Sequence, residues 1–258
     1  MKKVLSLAMI LFLITGCAAT FKEKRALSRP MVSLAMSRIQ QNDIQGALIE
    51  LRKAHKINPD DPEIYYGLAL VYAKSDKIDK ALDNIEKTIN KSGRLDLEHP
   101  GIRSEAYNLK GTIMFGLKRF DEALKAFDNA LENELYKTAE YPLHNKAHVY
   151  LETKRLDEAL ESARQALMYN QHYAPAWEVS AKIFVAMGRL NDAIDALKHA
   201  ILEFPGYTDA HWEIAQIYIQ LGEPDKAVSH LNELIRLDPK GAFGVMAQER
   251  LKNIQEKK

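Results

Sequence analysis

Six alanines, Ala47, Ala81, Ala123, Ala159, Ala193 and Ala227, stand in the same local setting at intervals of 34, 42, 36, 34 and 34 residues, and a period of that length leaves few architectures open. Twelve positions before each of them lies a second small residue: Ala35, Ala69, Gly111, Ala147, Ala181 and Ala215. Two antiparallel helices approach to ~8 Å only where neither presents bulk at the crossing, so the recurring small pair reads as a helical hairpin. Around that crossing stand large residues. Nine before each alanine come Arg38, Tyr72, Met114, Tyr150, Phe184 and Tyr218; four after it come Leu51, Ile85, Phe127, Ala163, Leu197 and Leu231. Arg38 is the misfit and marks the first unit as atypical. The two longer intervals read as insertions of eight and two residues between units.

Proline placement tests the frame independently, because a proline in a helix interior costs ~3 kcal/mol and is tolerated mainly in the first turn or past the end. Pro30, Pro62, Pro100, Pro142 and Pro175 fall near the starts of first helices. Pro224 begins a second helix, and Pro59, Pro205 and Pro239 follow second helices. The units are 28–61, 62–95, 104–137, 140–173, 174–207 and 208–241. A 34-residue helix-turn-helix unit of this kind resembles the tetratricopeptide repeat. The resemblance implies an all-α fold, a right-handed α-solenoid of about six tetratricopeptide repeats. Residues 242–258 are expected to form a C-terminal capping helix, with Val245, Met246 and Leu251 on its packing side.

The N-terminus reads as a targeting segment. Met1-Lys2-Lys3 precedes an apolar run from Val4 to Ile14, broken only by Ser6, and Thr15-Gly16-Cys17 follows. That run is short for a bilayer of ~30 Å hydrocarbon but fits a secretory signal. Ile14-Thr15-Gly16-Cys17 resembles the lipobox of bacterial lipoproteins, which implies a signal peptide at 1–16, lipidation of Cys17 and a lipidated tether at 17–27. Cys17 is the only cysteine of the 258 residues, so no internal disulfide competes for it. Ala18, in place of Asp, resembles the outer-membrane address of such lipoproteins. The expectation is a membrane attachment through Cys17 on the periplasmic face of the outer membrane.

Charge excludes some partners. Taking Lys2 and Lys3 from 36 Lys+Arg leaves 34 against 35 Asp+Glu, a net charge of −1. No field of one sign is available to hold nucleic acid or an anionic membrane face, and no nucleic acid is expected as a partner. His144 and His148 lie four apart, a spacing that lets two imidazoles share a metal. Asn145, Lys146 and Ala147 stand between them, and the sequence offers no third ligand, so the pair reads as part of a solvated groove. With no phosphate loop, nucleophile elbow or paired carboxylates either, the expectation is a protein that is not an enzyme and takes no cofactor, metal or small-molecule substrate.

What remains is protein binding. In tetratricopeptide proteins the fifth and twelfth residues of each unit face a concave groove, and here they include Val32, Ile39, Tyr66, Asn108, Phe115, His144, Leu151, Trp212 and Ile219. Trp177, one position earlier in its unit, is expected to pack internally. The stretch Leu131-Glu132-Asn133-Glu134-Leu135-Tyr136-Lys137-Thr138-Ala139-Glu140, after the third unit, resembles the N-x-L-Y-x-T-x-E stretch of the type IV pilus biogenesis and stability lipoproteins, the pilotin-like PilF/PilW group. That resemblance implies an outer-membrane scaffold whose partner is the pilus secretin. A periplasmic adaptor presenting substrates to a protease or a peptidoglycan enzyme is the alternative the sequence leaves open.

Overall fold

The computed structural model describes residues 19–95 and 99–256. Cys17, the rest of the leader and Asp96 to Glu98 of the lengthened junction lie outside them. Among the described residues all regular structure is helical: α1 (Phe21–Gln40), α2 (Ile44–Ile57), α3 (Pro62–Lys74), α4 (Ile78–Lys91), α5 (Ile102–Gly116), α6 (Phe120–Leu131), α7 (Glu140–Glu152), α8 (Leu156–Tyr169), α9 (Ala174–Ala186), α10 (Leu190–Glu203), α11 (Thr208–Gln220), α12 (Pro224–Leu237) and α13 (Ala242–Gln255). A short 3-10 turn, Ser92–Leu95, follows α4. The contacts divide the chain into two compact units, one up to Lys110 and one from Gly111 onward.

The same turn joins first to second helix six times. Asn42, Asp76, Lys118, Lys154, Gly188 and Gly222 all have positive φ, between 55° and 76°, and each lies five residues before its repeat alanine. In each case the amide after the left-handed residue reaches back to the carbonyl five residues before it, as in Asp43 N to Arg38 O and Arg155 N to Tyr150 O, both 2.8 Å. This is the Schellman closure, and it satisfies carbonyls that the end of the first helix would otherwise leave bare. Asn and Asp adopt that conformation at modest cost and Gly at none; Lys118 and Lys154 hold it against the clash of a Cβ.

In the first unit, Ala35, Ala47, Ala69 and Ala81 are completely buried at their crossings, and Val32, Ile39, Leu51, Ile64 and Val71 fill the space around them. The first helix departs from expectation. It starts at Phe21 and not near residue 28, because Thr20 and Glu23 form a capping box: Glu23 N donates to Thr20 Oγ1 at 3.3 Å, and Thr20 N donates to Glu23 Oε2 at 2.7 Å. Pro30 therefore sits inside a 20-residue helix and not at its start. The segment expected as a tether is mostly helix.

In the second unit, the Ala147–Ala159, Ala181–Ala193 and Ala215–Ala227 pairs are fully buried, as are Phe127, Ile183, Leu197, Leu231 and Leu234. Gly111 takes the place that alanine holds in the other five hairpins. Phe127, which faces it, is larger than the Leu or Ile of most of them, and a Cβ on Gly111 would lie 2.4 Å from the Phe127 ring. The final helix α13 packs on α12 through Phe243, Ala247, Leu251 and Ile254. Val245 and Met246, expected on that side, are exposed at 53% and 42%. The helix is rotated from the expected setting because the ring of Phe243 packs toward Trp212, with centroids 6.2 Å apart.

Candidate protein-docking grooves

In the first unit, α1, α3 and the start of α5 line an open cleft of about 540 Å³. Arg29, Ser33, Ser37 and Gln40 present a polar edge along α1, and Met36 and Tyr66 supply apolar surface, with the buried Ile102 behind them. Tyr66 is half-buried, as a side chain must be to be both held and available. Val32 lines the cleft but is only 5% exposed. Ile39, also 5% exposed, belongs to the core and not to the groove, because it packs with Ala35, Ala47 and Leu51 at the hairpin's closed end. Asn108 is half-buried on α5.

A charge network stiffens this cleft. Arg25, buried on α1, donates to Glu63 Oε1 at 2.9 Å and stands 3.6 Å from Asp61, a charge contact beyond hydrogen-bond range. Asp61 caps α3 by accepting from Glu63 N at 3.0 Å. His99, in the lengthened junction between the second and third repeats, places Nδ1 2.8 Å from Glu63 and Nε2 3.5 Å from Glu105. The bonds to Glu105 and Glu63 outweigh burial and raise the His99 pKa to about 9, so it is a cation at neutral pH. Burial works against the Glu63 charge, but His99 and Arg25 together hold its carboxyl below the usual range. For Asp61 burial wins, and its pKa rises.

In the second unit the groove positions behave unevenly. The Phe115 ring lies half-buried against Phe120, 6.1 Å between centroids. Leu151 packs against Ala147, Ala159 and Ile183, and Ile219 against Ala215 and Ala227. Trp212, expected to be open, instead packs against that last cluster and Phe243. The ring is half-buried. Trp177 stacks on His199 at 4.5 Å and donates to Gln171 O at 3.0 Å, the internal role expected.

His144 and His148 approach with Nε2 to Nε2 at 3.2 Å, and Tyr173 stands edge-on to His144. They are a partly buried pair and not a solvated one. Burial, then the neighbouring imidazole, depresses His144 to about 4, so the pair is neutral at pH 7 with one ring donating to the other. Among the described residues no group of three or more His, Cys, Asp or Glu side chains is placed to hold a metal ion.

Sequence reasoning passed over the polar residues beside this pair. Glu178 occupies the same register as His144 and Trp212, 34 residues from each, and counting every fifth position would have found it. It bonds both Lys182 and the Tyr207 hydroxyl, and Lys182 also stands 3.9 Å from Glu213. Burial dominates at Glu213 and raises its pKa to about 7. The second unit thus offers a polar, aromatic-flanked surface, and the first a mixed cleft with a pinned charge cluster. Both arrangements can recognise a polypeptide.

Similar proteins agree on the architecture. Against PilF of Pseudomonas aeruginosa, a type IV pilus assembly protein, the chain is 23% identical over 167 residues, 62% of this chain and 63% of that protein, just under two thirds of its length. The solved structure of Pseudomonas aeruginosa PilF superposes with a TM-score of 0.71 at 18% identity, covering 91% of this chain and 99% of that one. PilW, a widely conserved type IV pilus biogenesis factor, gives 0.71 at 21% identity over 84% and 96%. The Cut9–Hcn1 assembly of the APC/C gives 0.68 at 18% identity over 88% and 42%, so the fold alone does not select a function. The TPR repeat model matches residues 37–76, and tetratricopeptide repeat models match 104–134, 142–173 and 184–249, which together span more than half of the sequence. With hairpins, turns and sequence models in one register, the chain belongs to the tetratricopeptide-repeat proteins.

Proposed function

We propose that this protein is a lipid-anchored, non-catalytic scaffold of the outer membrane that assists type IV pilus assembly by binding the secretin. The observation that carries the reading is its correspondence to two pilus proteins over 99% and 96% of their lengths, joined to the lipobox-like Ile14–Cys17. The first-unit cleft is the docking site in this reading. Tyr66 is its aromatic anchor, and truncation of such an anchor costs ≥2 kcal/mol of binding. Secretin multimers from an envelope extract test the idea. Deletion of the gene lowers the multimer-to-monomer ratio, the wild-type gene restores it, and Tyr66→Ala does not. Unchanged multimers in the deletion strain refute the pilus role. Cys17→Ser abolishes labelling by radioactive palmitate and leaves unprocessed precursor; persistent labelling refutes the anchor.

A further inference from the structure

We infer that the open face of the first hairpin, formed by Leu27, Pro30 and Leu34 of α1, rests on the phospholipid bilayer. In the repeat register, Pro30 corresponds to Ile64, Ala176 and Ala210, all completely buried, and Leu34 corresponds to Leu68, Lys110 and Lys146, half-buried, and to Ser180 and Ile214, exposed at 4% and 0%. Those later positions are covered because a preceding hairpin stacks on them. At α1 the same face is bare among the described residues: Leu27 is 64% exposed and Leu34 45%, and Pro30 is exposed. Spaced three and four apart, Leu27, Pro30 and Leu34 form one stripe along the helix.

The position of the anchor selects the bilayer as the occupant. Only Ala18, Ala19 and Thr20 separate Cys17 from α1, a reach of about 10 Å when fully extended. A lipid on Cys17 therefore holds this end against the membrane surface; the inference rests on that anchor. The anchor supplies attachment, and the stripe fixes the tilt of the first unit.

The test places an environment-sensitive fluorophore on Leu34→Cys in the full lipidated protein, reconstituted in vesicles of phosphatidylethanolamine and phosphatidylglycerol, with the exposed Asp79→Cys of α4 as control. Mass spectrometry of the N-terminal peptide reports acylation of Cys17 independently. The expected result is a blue shift and quenching by nitroxide-labelled lipid at residue 34, with neither at residue 79. Acylated Cys17 with an unchanged residue-34 label overturns the inference, as does a shift without vesicles accompanied by dimers in sedimentation, which assigns the face to a second copy. An unacylated Cys17 overturns the anchor first and the inference with it.

Discussion

Replacing Gly111 by alanine, the residue at the same place in the other five hairpins, is expected to destabilise the protein. In an ordinary helix interior the change gains ~1 kcal/mol. Here the new Cβ falls 2.4, 2.6 and 2.8 Å from Cε1, Cδ1 and Cζ of Phe127, a ring that is completely buried. Carbons rest ~3.5–4 Å apart, so ring or helix has to yield by about 1 Å. Overpacking of that kind costs ~1–3 kcal/mol, which leaves a net loss of ~0–2 kcal/mol. Phe127→Leu alone opens a space beside Gly111 and costs about 1–2 kcal/mol. Gly111→Ala with Phe127→Leu recreates the pairing of Ala181 and Leu197, both completely buried, and is expected to match or exceed the wild type. The coupling in the double-mutant cycle is then ~1–4 kcal/mol. Urea unfolding of the four proteins by circular dichroism measures it. Additive free energies, or a Gly111→Ala variant more stable than the wild type, refute the reasoning.

Other outcomes follow from the same structure. Lys154→Gly is expected to stabilise by ~1 kcal/mol, since φ is 60° there, and to raise the melting temperature; a drop contradicts the strain argument. His99, raised from 6.5 to about 9, contributes stability that is full below pH 6.5 and lost as pH rises through about 9. With 32% of that side chain exposed, ~1–2 kcal/mol is expected, read as a pH-dependent melting difference from His99→Gln that vanishes above pH 9. Trp212→Ala is expected to cost ~3 kcal/mol in a melt, since the ring packs under the cap, whereas Tyr66→Ala leaves the melt within about 1 kcal/mol. Equal melts would return Trp212 to the open groove.

The repeat frame was legible because the residues that specify it act locally: small side chains at a crossing have one physical use, and their spacing shows it. The start of α1 was legible too, since Thr20 and Glu23 spell a capping box, but the lipobox-like segment just before it suggested an extended tether. The cluster of Arg25, Asp61, Glu63, His99 and Glu105 was not, because it gathers residues from α1, α3, α5 and the junction, each unremarkable in its own stretch. The packing of Trp212 depended likewise on which face α13 presents, and the apolar residues of α13 occur on more than one side.

Every turn from first to second helix is three residues long, while the returns from second to first vary: four residues after α2, α8 and α10, but ten after α4 and eight after α6. All growth in length is thus confined to one kind of joint. The Schellman closure fixes the geometry inside a hairpin and forbids insertion there, whereas the return joints admit extra chain without touching an alanine crossing. A fluorescent domain or epitope grafted between Asp96 and Glu98 is therefore expected to be carried as cargo by an otherwise native protein.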